Sequence, residues 1–208
     1  MKSKKQLFAV LVIAFIGSCF AQNSGVFTDS RDEQVYRWVR IGNQIWMAEN
    51  LNYSVRRGSA RWGNNYGLMY NWKTAKKVAP PGWHLPSDEE WQELELTLGI
   101  SQSEINKTYS GDRSSGNVGY HLKSRSGWQF YMQAGNGDDK YGFTALPGGY
   151  SHGHTGRFMY YGTAIYFWTS TAIDNQNAHA RALESNFNGI GRDNMQKEHG
   201  CYIRCVKD

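Results

Sequence analysis

Cysteine and proline are scarce in this chain, three of one and four of the other among 208 residues. That excludes a disulfide-framed scaffold, and at this length a domain buries a sizeable core without such staples. No apolar run reaches the ~20 residues that a transmembrane helix needs. Also missing are an internal repeat, a convincing domain linker, a Gly-x-Ser-x-Gly nucleophile elbow, a phosphate loop and a dinucleotide fingerprint. A strong charge imbalance is lacking too. The 23 Lys and Arg include Lys2, Lys4 and Lys5 at the N-terminus; without them 20 basic residues face 18 acidic ones, a net +2. That is too weak to argue for nucleic acid or an anionic membrane as partner.

What is abundant is glycine, 23 residues, and aromatics, 14% with eight Trp. Glycine with aromatics at 40% hydrophobic content suggests many turns and short strands rather than disorder or a helical bundle.

The N-terminus has the pattern of an export signal. Lys2, Lys4 and Lys5 form a positive region, Leu7 to Ile16 is apolar but too short for a stable anchor, and small residues follow. Cys19-Phe20-Ala21 before Gln22 fits ordinary cleavage, giving a signal peptide over 1–21 and one domain over 22–208. The alternative is Ile16-Gly17-Ser18-Cys19, which resembles a bacterial lipobox and would leave Cys19 lipidated. Either way the expected location is secreted or cell-surface, including an outer-membrane lipoprotein, with no transmembrane segment in the mature chain. Cys201 and Cys205 cannot bridge inside a regular strand, where four residues span roughly 13 Å and disulfide Cα atoms lie within about 7 Å. Two buried or semi-buried thiols are expected instead, the alternative being a bridge allowed by a bulge or turn at Gly200.

Along the chain, residues 22–32 are polar. Val35 to Ala48 reads as a hairpin turning at Gly42-Asn43. In it Val35, Arg37, Val39 and Ile41 share one face, and Tyr36, Trp38 and Arg40 the other. Tyr70 to Val78 predicts a short helix stopped by Pro80-Pro81-Gly82. Ser87 to Leu98 predicts a longer one: Ser87 and Glu90 make a capping box, Asp88, Glu89 and Glu90 suit the helix dipole, Trp91, Leu94 and Leu98 give the buried face, and Gly99 ends it. Ser101 and Glu104 suggest one further turn of helix. From 108 to 139 the chain is polar and glycine-rich, broken by Tyr120–Leu122 and Trp128–Met132. Strand candidates follow at Gly142–Leu146, Arg157–Tyr161, Ala164–Thr169, Ala178–Leu183 and Tyr202–Val206. The pattern is α+β with long loops.

Six ordered motifs carry a resemblance. Ile41-Gly42-Asn43-Gln44-Ile45-Trp46-Met47-Ala48-Glu49-Asn50-Leu51 comes first, then Tyr66-Gly67-Leu68-Met69-Tyr70-Asn71-Trp72. Pro81-Gly82-Trp83-His84-Leu85-Pro86-Ser87-Asp88-Glu89-Glu90-Trp91, Gly142-Phe143-Thr144-Ala145-Leu146-Pro147-Gly148-Gly149 and Tyr166-Phe167-Trp168-Thr169-Ser170-Thr171 follow. Ile203-Arg204-Cys205-Val206-Lys207-Asp208 closes the chain. Over about residues 30–208 the chain resembles the Fibrobacter succinogenes major paralogous domain family. The resemblance implies a fold similar to the C-type-lectin-like, formylglycine-generating-enzyme-like superfamily: short antiparallel strands, one or two short helices and long irregular loops. It also implies an exported, often cell-surface protein with an adhesive or ligand-binding role, which is fold-level analogy. His84 through Trp91 resembles the helix-start motif of the formylglycine-generating enzymes, but Cys201 lies too close to Cys205 to match their copper-binding pair.

Several residue sets can carry chemistry. Trp62, Tyr66, Trp128, Tyr131, Tyr150, Tyr160 and Tyr161 lie in or beside polar loops, where an exposed ring can stack on a sugar. Trp38, Trp46, Trp72, Trp83, Trp91 and Trp168 read as core. Asn136, Asp138 and Asp139 offer oxygens in a turn that would suit calcium, without the spacing of a full calcium loop; no other cofactor is expected. His152-Gly153-His154 lacks a third ligand nearby, and Glu49, Glu184, Asp138 and Asp139 are carboxylates whose pairing spacing alone does not fix. The expected function is an exported binding or adhesion module recognising a glycan or extracellular protein through loops 108–140 and 148–163, with no nucleic acid involved. The alternatives are a structural component of a surface assembly and, third, a diverged oxidase or hydrolase.

Overall fold

The computed structural model describes residues 23–208 apart from Asn64, Tyr109 and residues 131–133. The leader, Cys19 and Tyr131 thus lie outside the described residues. In chain order, β1 (Ser24–Thr28), β2 (Val35–Ile41) and β3 (Gln44–Met47) open the domain. β4 (Ser59–Ala60), β5 (Met69–Tyr70), α1 (Trp72–Ala75), β6 (Trp83–His84) and α2 (Asp88–Leu98) follow. Then come α3 (Val118–Leu122), β7 (Tyr150–Ser151) and β8 (Phe158–Met159). β9 (Ala164–Ala172), β10 (Asn177–Glu184), β11 (Gly191–Gln196) and β12 (Val206–Lys207) complete it.

The strands form a five-stranded sheet in the order β1-β2-β3-β12-β6, a three-stranded sheet β11-β10-β9 and two small ribbons, β4-β5 and β7-β8. All these pairings are antiparallel. With a few short helices this is an α+β architecture. The hairpin β2–β3 turns at Gly42, whose φ of 60° lies in the left-handed region that such a turn requires. Helix α2 has the expected capping box, and its C-cap Gly99 is left-handed.

The apolar residues fall into two clusters. One gathers Trp46, Trp91, Leu94, Phe143, Phe167 and Tyr202 under α2; the other holds Tyr36, Met47, Tyr70, Trp72, Trp168 and both cysteines. Strand β2 serves both: Val39 and Ile41 enter the first, Tyr36 the second. Its lack of a clean polar face, visible in the sequence, follows from that double burial. Cys201 and Cys205 are free and buried, and burial pushes both thiols well above their ordinary pKa.

Several charged groups inside the domain are held in closed sets. Glu95 of α2 pairs with Arg113 and Arg181, and Asp88 pairs with Arg181 at 2.6 Å and Arg192 at 2.7 Å. Arg204 has no carboxylate among its partners. It donates to Asn50 Oδ1 at 2.6 Å and to the carbonyls of Met47, Phe143 and Thr144. Its guanidinium lies 4.5 Å from the Phe143 ring centre, and burial lowers its pKa to about 9.

Five expectations change. The segment 22–32 contains β1, an edge strand whose alternating exposure hides it among polar residues. The polar stretch Gly191–Gln196 is β11, the other edge strand missed for the same reason. Tyr202–Val206 is not one strand. Tyr70 pairs with Cys201, Phe167 with Tyr202, and Leu51 N–H donates to the carbonyl of Ile203, so the segment is shared among partners before Val206 joins the sheet. Similarly, Gly142–Leu146 contributes only a bridge, Ala145 to Lys123, and Ser101–Glu104 forms a hydrogen-bonded turn rather than a helix.

Candidate functional site: an aromatic ledge

The β7–β8 ribbon is set down on the core by two glycines. A Cβ on Gly148 would stand 2.4 Å from the Tyr202 hydroxyl, and one on Gly149, at φ +70°, would stand 2.0 Å from the Met159 carbonyl oxygen. Only glycine permits that approach. Opposite, Asn50 Nδ2 donates to the Tyr66 carbonyl at 2.8 Å and fixes the loop that carries Trp62 and Tyr66.

The two segments bring rings together. Trp62 lies 4.8 Å from Phe158 and 5.5 Å from Tyr161, and Tyr66 lies 5.4 Å edge-on to Tyr161. These spacings fall in the range of favourable aromatic pairs. The Tyr66 and Tyr161 hydroxyls are 3.1 Å apart. Burial, then this hydrogen bond, pushes Tyr66 up to about 12, so Tyr66 keeps its proton at neutral pH. Trp62 and Tyr161 remain 39% and 40% exposed. Beside Tyr66 lies a polar pocket of about 190 Å³, also lined by Arg37, Glu49 and Asn52. Among the described residues no group hydrogen-bonds the buried Asn52 Oδ1.

Tyr160 extends the surface and is the most exposed of the described loop tyrosines, at 55%. Its φ of 56° is left-handed, a conformation disfavoured for a residue with a Cβ. The turn holds it there, because the Tyr160 carbonyl accepts from the Thr163 and Ala164 amides and from Thr163 Oγ1. Strain maintained by its surroundings is a recurring property of functional positions. Tyr150 packs 5.2 Å from Tyr166 and 6.0 Å from Tyr160. Tyr160, Tyr166 and Glu184 line a second pocket of about 360 Å³. Next to it Asp193 is raised to about 6, by burial first and the Glu184 charge second.

The other candidates fall elsewhere. Trp128 is a correction: it is buried in the first core cluster, where its indole N–H donates to Ser124 Oγ at 3.1 Å and the Ala145 carbonyl at 3.0 Å. Phe130, two residues on, takes the surface position at 75% exposure, next to Gln129, whose amide donates to the Gly162 carbonyl. The oxygens of Asn136, Asp138 and Asp139 are turned to separate partners. Asn136 Oδ1 accepts from the Trp128 amide, Asp138 from His121 and the Lys140 amide, and Asp139 from the Thr144 amide and hydroxyl. His152 gains a neighbour the sequence does not show, His199 at 4.7 Å, while His154 pairs with Glu198. Among the described residues no three His, Cys, Asp or Glu side chains are grouped to hold a metal. Glu49 is taken up by Arg37. The high thiol pKa values of Cys201 and Cys205 leave them protonated and unreactive.

Sequence reasoning missed Phe158, Phe130, Tyr166 and Asp193. For Phe158 a signal existed, since Arg157–Tyr161 is a strand candidate with three aromatics. For Asp193 none did, because its neighbour Glu184 is brought up only by the β10–β11 pairing.

No helix among the described residues is long and apolar enough to cross a membrane. Neither the curated proteins nor the solved structures give a match. A family model, that of the Fibrobacter succinogenes major domain, matches residues 39–207. That span takes in the end of β2, all of β3 to β12, and every member of the two core clusters except Tyr36, so the chain belongs to the Fibrobacter succinogenes major domain family.

Proposed function

We propose that this protein is an exported, surface-located binding module that recognises a glycan through the ledge of Trp62, Tyr66, Phe158 and Tyr161. The domain architecture that suits this role is C-type-lectin-like, with short strands holding long loops. The carrying observation is the contiguity of these rings, two of them well exposed, with the Tyr66 and Tyr161 hydroxyls set side by side among them. A sugar ring offers an apolar face to the indole and hydroxyls to the tyrosine pair. This combination of apolar wall and a few aimed polar groups is what small-ligand sites use. Recognition needs no calcium in this reading, because the oxygens of Asn136, Asp138 and Asp139 already have partners.

A glycan array probed with the purified protein, with calcium and with chelator, tests it. Specific binding that survives chelation is expected, and Trp62→Ala should weaken it about 30-fold or more, the effect of losing a binding hot spot. Uniformly negative arrays with folded protein would overturn glycan recognition and redirect the search to surface proteins.

A further inference from the structure

A third pocket, of about 400 Å³, opens on another part of the loop that carries Trp62 and Tyr66, and its chemistry differs from the ledge. Its lining includes Arg31, Arg57, Lys73 and Lys77 over a base of Tyr53 and Val78, and it includes no carboxylate. Arg31 is not available to a ligand as a free charge. Asp29 grips it through two oxygens, it donates to the carbonyls of Val78 and Ala79, and it lies 3.9 Å from the Tyr53 ring centre. It therefore builds the wall. Arg57, Lys73 and Lys77 are exposed, and among the described residues no ion pair engages them.

Their convergence is constructed. Lys73 and Lys77 are four residues apart across α1 and its exit, a spacing that puts like charges side by side at a cost. Arg57 is brought to them by Gly58, which has φ +87° and whose added Cβ would stand 2.2 Å from Thr74 Oγ1. The Asn71 amide donates to the Gly58 carbonyl at 2.9 Å and locks the loop against the helix. Three unpaired cations thus face one concavity on a protein whose net charge away from its N-terminus is close to balanced.

We propose that this pocket binds the anionic group of an acidic glycan, a uronate carboxylate or a sulfate ester. An anion placed among Arg57, Lys73 and Lys77 relieves their mutual repulsion and gains charge-assisted hydrogen bonds. The volume lies in the range of small-ligand sites, about 300–1,000 Å³. Asn71 and Thr74 supply polar wall, and Tyr53 an aromatic face, as sugar hydroxyls and ring carbons require. A lipid surface fits less well: the site is concave, and none of the exposed large apolar side chains of the described residues lines it, so nothing there would enter a bilayer.

Binding of the purified protein to oligogalacturonate, to a sulfated tetrasaccharide, to neutral cellotetraose and to phosphatidylglycerol vesicles tests this. One or both anionic oligosaccharides should bind, and more weakly as salt rises. Reversing Lys73 and Lys77 together to glutamate should weaken that binding at least about tenfold, as should Arg57→Glu, with thermal melts unchanged because all three side chains are exposed. Trp62→Ala should leave it intact, so this site and the aromatic ledge succeed or fail separately. No binding of either anionic oligosaccharide at low salt, binding that survives the charge reversals, or binding confined to the vesicles would each overturn the proposal.

Discussion

Replacing Glu95 by glutamine keeps the volume of the side chain and removes only its charge. Glu95 is fully buried and accepts from Arg113 on one oxygen and Arg181 on the other, and both guanidiniums are likewise fully buried. Asp88 continues the set, joined to Arg181 and Arg192. The wild-type set holds three cations and two carboxylates; the variant holds three and one. Breaking a buried ion pair by neutralising one partner leaves the other charge uncompensated, at about 3–5 kcal/mol, against a total stability of roughly 5–15 kcal/mol. No cavity contributes, because glutamine is nearly isosteric. At this chain length each kcal/mol moves Tm by about 2–4 °C, so a fall of roughly 10 °C is expected. Urea unfolding followed by tryptophan fluorescence should show a lower midpoint with an unchanged slope, the mark of altered stability rather than altered compactness. Hydrogen exchange should loosen first around residues 104–107 and 190, whose carbonyls Arg113 holds. A loss under about 1 kcal/mol would refute the reasoning and mean that the two arginines are satisfied by carbonyls and water without Glu95.

Two further substitutions separate stability from binding and from pH. Tyr160→Gly relieves a left-handed residue, so thermal stability should hold or rise by about 1 kcal/mol while glycan affinity falls; a drop in Tm would show that the ring is needed for packing. Asp193→Asn should stabilise at neutral pH. The folded pKa of Asp193, about 6, lies above its unfolded value of about 3.9, so the folded protein holds the extra proton and stability falls as pH rises through that window. The neutral side chain escapes this, with a gain on the order of 1 kcal/mol for a half-buried group that vanishes below about pH 4; a difference independent of pH would contradict it.

The parts of the fold that could be read from the sequence are those whose cause is local. Ser87, Glu90 and Gly99 specify α2 by backbone chemistry within a single segment, and Gly42-Asn43 specifies the β2–β3 turn in the same way. What could not be read depends on partners far along the chain. β1 and β11 are polar because they are edges, and only their pairing with β2 and β10 makes them strands. Trp128 sits among glycines and polar residues like the loop aromatics, yet contacts from Ser124 and Ala145 draw it inside. The ledge had the same ambiguity. Trp62, Tyr66 and Tyr161 were identifiable as loop rings, but their contact with one another and with Phe158 exists only once loop and ribbon meet.

The motifs that carry the family resemblance meet one another. Asn50 of the first, Phe143 and Thr144 of the fourth and Arg204 of the last form a single buried hydrogen-bonded set. Trp72 and Tyr70 of the second exchange bonds with Thr169 and Trp168 of the fifth. The third reaches the fifth through the Asp88 amide to Thr171 Oγ1 and the Ser170 amide to the Pro86 carbonyl. These are groups whose loss would leave buried donors and acceptors unpaired, which is costly wherever it occurs in a domain. The family pattern is therefore, in physical terms, a set of folding instructions. Trp62, Phe158, Tyr160 and Tyr161 of the ledge and Arg57, Lys73 and Lys77 of the cationic pocket fall outside it. Tyr66 is the point of contact, its carbonyl held by Asn50 and its ring turned to Tyr161. A scaffold of this kind can keep its core chemistry fixed while the loops between its motifs vary, so the proposed recognition is to be tested first in the loops and at Tyr66, where loop and motif meet.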